Sequence, residues 1–265
     1  MPDPIETIKI IKVVNTQGSE TDDVVAREAP LTVYVNDIEL VTLLCTPDYL
    51  PDLAVGFLYS EGVISAIDDI KNISVNDSKG IAWVTLREGI VVNEDDFRRG
   101  RAVTSGCAKG QTFGHLLEKQ DLPIINTKIR FPIEQLYSLI LQFQNIPSTY
   151  RQTGCVHVAG LYLNDDNWVV REDIGRHNAV DKVVGYCMQH RIDGSDKVMM
   201  VTGRLSSEMV MKAVRLGVPV VVSRTAPTVT ALRIAEEAGT TLVGFARGQR
   251  MNIYSHPYRV VLNGK

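Results

Sequence analysis

Runs of apolar and β-branched residues divide the chain into two halves of different character. In the first half, IKIIKVV (8–14), LTVYVN (31–36) and IELVTLLC (38–45) read as short strands, with Asn36-Asp37 turning a hairpin between the last two. In PDLAVGFLYSEGVI, Pro51 and Asp52 mark a helix start, and Leu53, Phe57 and Leu58 share one face. IAWVTLRE (81–88) is a further strand. A charged stretch, NEDDFRRGR, then leads into the loop VTSGCAKGQT (103–112), which holds Cys107.

The second half alternates. FPIEQLYSLILQFQ (131–144) has a helical pattern, and HVAGLYL (157–163) and NWVVRED (167–173) predict a hairpin around Asn164-Asp165-Asp166. A helix over about 177–191 follows, then KVMMVTG (strand), SSEMVMKAVRLG (helix), VPVVVS (strand), TVTALRIAEEAG (helix) and TTLVGFAR (strand). Gly217 and Gly239 stand where helix C-terminal glycines belong. Continuous apolar strands separated by amphipathic helices predict an α/β fold with a mainly parallel sheet covered on both faces. The change of character sets a boundary near 115–130, around Pro123. It separates a smaller β-rich N-terminal region (1–125), with the Cys107 loop, from an α/β domain (126–265).

Composition changes this picture little. The 265 residues carry 45% hydrophobic and 22% charged side chains, ordinary for a globular protein, and suffice for one large domain or two modest ones. A net charge of -3 gives no global attraction to nucleic acid or acidic membranes, so any anion site must come from local clustering. No signal peptide and no apolar run long enough to span a bilayer is visible. The four cysteines, Cys45, Cys107, Cys155 and Cys187, are too widely spaced for a disulfide framework, which points to a reducing cytoplasm.

Ligands of open α/β sheets gather beyond the carboxyl ends of the parallel strands. NWVVRED is followed by Ile174-Gly175-Arg176-His177-Asn178, and KVMMVTG by Arg204 with Ser206-Ser207. VPVVVS is followed by Arg224-Thr225-Ala226-Pro227-Thr228, and TTLVGF by Ala246-Arg247-Gly248-Gln249-Arg250. Guanidinium groups, exposed backbone amides and helix N-termini at successive junctions suit a nucleotide-like or larger phosphorylated ligand. The plain alternative has these arginines solvated, or paired with acids such as Glu172 and Asp173. His177 and Asp181, four apart at a helix start, are either an acid–base pair or a surface i, i+4 pair. Asn178, Asp181 and Lys182 are further candidates for contact with a base or ribose.

Cys45 and Cys187 lie in apolar patterns and read as core thiols. Cys155 and His157, two apart on a strand, share a face but do not make a zinc site, and no metal is expected. His190 reads as a helix-end residue, and His115 and His256 as structural or site-adjacent. Cys107 differs in kind. Glycines flank it, Lys109 follows, and Arg98, Arg99 and Arg101 lie just upstream, a positive setting that favours the reactive thiolate.

Together SGCAKG, EDIGRHNAVDKVVG, GRLSSEMVMKA, GVPVVVSRTAPT and GTTLVGFARGQRMNIYSHP resemble the FdhD family of formate dehydrogenase accessory sulfurtransferases, in order and over nearly the whole chain. The resemblance implies a sulfur carrier. Cys107 would receive sulfane sulfur from a cysteine desulfurase as a persulfide and pass it to the molybdenum bis(molybdopterin guanine dinucleotide) cofactor needed by formate dehydrogenase. Phe245, Ala246, Arg247, Gly248, Gln249 and Arg250 would contact that cofactor, joining Arg176, His177, Asp181, Arg204, Arg224 and Thr225 from the strand-end reading. It further implies a homodimer and a C-terminal cytidine-deaminase-like domain, a helix-flanked mixed sheet, beside the smaller β-rich N-terminal part. A non-catalytic cofactor-binding chaperone is the alternative; a zinc nucleoside deaminase lacks its H-x-E and P-C-x-x-C signatures here. In one respect the chain departs from the family. Many members carry Cys-x-x-Cys in the loop, whereas Gly110 stands here where the second thiol would fall.

Overall fold

The structure is a computed structural model, described over residues 3–90, 92, 122–165 and 167–262. Cys107, its loop and His115 lie outside the described residues.

The chain opens with β1 (Ile5–Val14) and β2 (Gln17–Ala26), an antiparallel ribbon that joins neither larger sheet. β3 (Ala29–Val35) and β4 (Ile38–Cys45) form the expected hairpin, and Asn36 and Asp37 both take positive φ (47° and 69°), as a tight hairpin turn requires. α1 (Leu50–Ser60) begins with Pro51, and its Leu53, Phe57 and Leu58 are buried. β5 (Ile70–Asn76) and β6 (Ile81–Leu86) complete a sheet ordered β4-β3-β6-β5. Leu31, Val33 and Val35, alternate residues of β3, pack with α1 in one core. Neither β2 nor β5 was expected from the sequence: QGSETDD lacks an apolar alternation, and in IKNISVN the alternation is confined to Ile73 and Val75.

β7 (Phe131–Pro132) leads into α2 (Ile133–Asn145), and a short α3 (Thr149–Thr153) precedes β8 (His157–Asn164) and β9 (Asn167–Asp173). There follow α4 (Arg176–Gln189), β10 (Val198–Val201), α5 (Ser207–Arg215), β11 (Val220–Ser223), α6 (Val229–Ala238), β12 (Thr241–Arg247), β13 (Arg250–Ile253) and β14 (Val260–Val261). The large sheet runs β13-β12-β11-β10-β8-β9. Only β10–β11 and β11–β12 are parallel; the β12–β13, β10–β8 and β8–β9 pairs are antiparallel. The helix-flanked mixed sheet implied by the family resemblance is present, whereas the strand pattern alone suggests a mainly parallel one, an expectation corrected here. Helical crossovers join the three central strands, while tight hairpins supply both flanks. The α/β class holds, and both faces are covered. Residues of α4, α5 and α6 pack with Leu161, Met199 and Val221 on one face, and α2 packs on Val158, Met200 and Val222 on the other.

The two larger sheets meet through α1 and α4. Ion pairs cross the contact, Arg171 to Asp52 at 2.7 Å and Lys182 to Asp48 at 2.6 Å, and Lys182 also pairs with the buried Asp173 at 2.7 Å. Among the described residues no helix is long and apolar enough to cross a membrane.

Candidate functional site: a cationic edge of the large sheet

β9 is antiparallel to β8, and β8 to β10, so β9 runs with β10, β11 and β12. All four end at one edge of the sheet, where β8 begins with His157 and β13 with Arg250. The junctions picked out by the sequence thus converge because of strand direction.

Hydrogen bonds tie these junctions side by side. The loop after β10 meets the loop after β11 through Leu205 N–H to Ala226 O (3.2 Å) and Thr228 N–H to Leu205 O (3.0 Å). Ser223 Oγ donates to Gly203 O at 2.7 Å and accepts from Thr225 N–H at 3.0 Å. Phe245 N–H then donates to Thr225 O at 3.0 Å, attaching the end of β12. Each donor removes a loop amide from competition with water, which fixes the edge before any ligand arrives.

The strongest electrostatic feature lies at the α4/α5 side of this edge. Gly203 has no side chain, so Arg176 crosses it: a Cβ there would stand 3.1 Å from Arg176 Cβ and 3.6 Å from His157 Nδ1. Arg176, His177 and Arg204 bring their charges to His157. Burial first, and then those three neighbours, hold its imidazole below the ordinary histidine value. His157 is thus a neutral ring in a cationic setting. His177 Nε2 sits 2.9 Å from a Glu208 carboxylate oxygen. Burial opposes ionisation of Glu208, but His177, Lys212 and Arg176 outweigh it and keep that carboxyl below its usual range. The N-termini of α4 and α5 open at the same place, adding partial positive charge.

Glu172 and Asp173 do not take up the arginines. Glu172 accepts the backbone N–H groups of Ser148, Thr149 and Tyr150, and Asp173 pairs with Lys182. These two acids are thus engaged with backbone amides and with a lysine.

Asp181 does not join the edge. It is 2% exposed, faces α1, accepts from Ser60 Oγ at 2.6 Å and pairs with Lys212 at 2.7 Å. Its expected place beside His177 as an acid–base or ligand-contacting residue is corrected. The helix turns Asp181 inward, and Glu208 from the next helix is His177's acidic partner. Asn178 and Lys182 are likewise buried, as pins to β4 and the segment after it. Glu208 and Gly203 were missed in the sequence; an acid in the first turn of SSEMVMKA was the only signal for the former.

The FARGQR segment lies at the far end of the edge. Phe245 is 41% exposed with φ 52°, at a register shift between Gly244 and Arg247. A bulky residue held in the left-handed region costs on the order of 1–3 kcal/mol, a strain found where geometry serves a site. Gly248 takes φ 54° in the turn to β13, and Arg247, Gln249 and Arg250 are exposed around it, whereas Ala246 is buried. Arg224 and Ala246 border a small pocket with Phe143 and Gln144 of α2, so Arg224 serves the opposite face of the sheet from Arg176 and Arg204. Cys155 is exposed just before β8, while Cys45 and Cys187 are buried, their thiols pushed up to about 12 chiefly by burial.

A mixed, helix-covered sheet with guanidinium and imidazole groups at its strand ends, and an exposed aromatic ring at the far end of that edge, defines an α/β protein with a cationic strand-end edge. Comparison with known proteins gives the family. Residues 26–261 match the model of the FdhD/NarQ family, and the chain belongs to that family. It is 42% identical over 241 residues to the sulfur carrier protein FdhD of Bacillus pumilus, with 91% of each chain covered. It is 40% identical to that of Wolinella succinogenes, covering 92% of this chain and 85% of the relative. A crystal structure of a formate dehydrogenase accessory protein from Desulfotalea psychrophila superposes with a TM-score of 0.79 at 29% identity, covering 98% of this chain and 100% of that one.

Proposed function

We propose that this chain is a sulfurtransferase that carries sulfane sulfur as a persulfide on Cys107. It delivers that sulfur to the molybdenum bis(molybdopterin guanine dinucleotide) cofactor destined for formate dehydrogenase. The observation that carries the reading is the cationic edge itself, where the charges of Arg176, His177 and Arg204 act on His157. Guanidinium groups and helix N-termini suit the phosphates of a guanine dinucleotide, and the exposed ring of Phe245 suits its base.

In the loading step the Cys107 thiolate attacks the terminal sulfur of a cysteine desulfurase persulfide. The donor S–S bond breaks, the donor thiolate leaves, and Cys107 holds the S–SH group with no net redox change. Lys109 and the arginines before the loop favour both anionic sulfurs. The cofactor is cargo here. Arg176, His177, Arg204, Thr225 and the exposed residues Phe245, Arg247, Gln249 and Arg250 bind and orient it, in a cytoplasmic homodimer.

Incubation with a cysteine desulfurase and cysteine should add about 32 Da, one sulfur atom, to the parent chain and nothing to Cys107→Ala. Equal labelling of both sinks the carrier reading. Formate dehydrogenase maturation should fail with Cys107→Ser while guanine nucleotide binding persists. Intact maturation would make the chain a cofactor chaperone instead.

A further inference from the structure

The junction between β9 and α4, which carries Arg176 and His177, takes its shape from a residue outside the large sheet. Thr46 follows β4 directly and is fully buried. Its backbone N–H donates to Asp173 Oδ2 at 3.0 Å, its Oγ1 accepts from Ile174 N–H at 3.1 Å, and its carbonyl accepts from Lys182 Nζ at 3.0 Å. Gly175, at the start of α4, brings no capping side chain. Asp173 acts in its place: Oδ1 accepts from Gly175 N–H at 2.8 Å and from Asn178 Nδ2 at 3.0 Å. Thr46 thus holds both the carboxylate that turns the chain and the next amide along it. Arg176 is the following residue but one, and it passes over Gly203 beside His157.

We propose that Thr46 is a positioning residue for the cationic edge: its hydroxyl fixes the backbone from Asp173 to Arg176 and so holds the Arg176 guanidinium beside His157. Thr46 is too deep to meet a ligand itself, and it acts through Ile174 and Asp173. A backbone amide that loses a buried acceptor must find another, and the chain shifts to supply one. Because the anchor lies beyond β4 and the charge lies after β9, the edge is complete only when the two larger sheets are docked. The inference rests on the anion-binding reading of the proposed function only for what the edge holds.

Thr46→Val keeps the shape and removes the acceptor, whereas Thr46→Ser retains it. Arg176, His177 and Arg204 are the charges acting on His157. With Arg176 displaced, the His157 ring in Thr46→Val should titrate about 0.3 pH units or more higher by NMR, and in Thr46→Ser it should titrate as in the parent. GDP, the smallest guanine diphosphate probe, should bind Thr46→Val roughly fivefold or more weakly by calorimetry, and Thr46→Ser like the parent. An unmoved His157 titration in Thr46→Val, an equal shift in Thr46→Ser, or GDP bound by Thr46→Val as tightly as by the parent overturns the proposal. A shifted ring with GDP bound by neither protein upholds it and sinks the anion-binding reading instead. Hydrogen exchange on the parent needs no variant to fold: the Ile174 amide should be protected ~100-fold or more, and an unprotected amide overturns the proposal.

Discussion

Gly56 and Gly185 face each other where α1 crosses α4, and neither position has room for a side chain. A Cβ on Gly56 would stand 1.8 Å from Asp181 O, and one on Gly185 would stand 1.8 Å from Asp52 O. The obstacles are backbone atoms, so relief requires the helices to separate. Either Gly→Ala change should cost about 3 kcal/mol or more, at the upper end of overpacking effects, in denaturant unfolding. A cost under about 1 kcal/mol would mean the helices are not this close.

Beside this contact, Asp181 neutralises Lys212, which is 4% exposed. Asp181→Asn keeps the shape but leaves the ammonium only Glu61, 3.8 Å away, a loss of about 3 kcal/mol. Guanine nucleotide affinity of the folded variant should stay within about twofold, since Asp181 faces α1 rather than the sheet edge. A large affinity loss at unchanged stability would restore Asp181 to the site.

His157 reports the electrostatics of the edge. Its folded-state value lies below the ordinary one, so the unfolded chain takes up the proton first as pH falls. The stability His157 contributes is therefore full above its unfolded value of about 6.5 and declines as pH drops through that value toward the folded one. Arg176→Gln removes one neighbouring positive charge, and the imidazole should titrate at higher pH by NMR. No change on that substitution would mean that burial alone sets its value.

Phe245 tests the base-binding half of the site. Phe245→Gly relieves a left-handed backbone while removing the ring, so stability should hold or rise as nucleotide binding falls. Loss of one aromatic stacking contact, about 1–3 kcal/mol, corresponds to roughly a 5- to 150-fold weaker dissociation constant by calorimetry. Unchanged affinity would remove Phe245 from the site.

The thiols should separate by burial. In a Cys107→Ala background at pH 8, a thiol reagent should modify Cys155 at once and leave Cys45 and Cys187 unreacted until denaturant is added. Fast modification of three thiols without denaturant would contradict the buried positions.

Much of the fold was legible because periodicity is local. The alternation of LTVYV, the helical spacing of Leu53, Phe57 and Leu58, and the Gly217 and Gly239 stops each need only a few neighbouring residues to declare themselves. The arginines after successive strands were legible for the same reason. β2 was not, since a polar strand is held by its partner rather than by its own pattern, and β5 was not, since Ile73 and Val75 make too short an alternation to declare a strand.

By itself the sequence determined the longer strands and helices of the second half, though not the short β7, α3, β13 and β14, and which charged residues stand at their junctions. Tertiary structure decided the rest, because direction, pairing and burial depend on distant parts of the chain. It made the sheet mixed by adding antiparallel flanks, and it split Arg224 from Arg176 and Arg204 across two faces. It also gave His177 to Glu208 rather than to Asp181 four residues away. Asp181 turns inward because Lys212 and Ser60, from two other helices, meet it there, and a buried carboxylate goes where its charge is compensated.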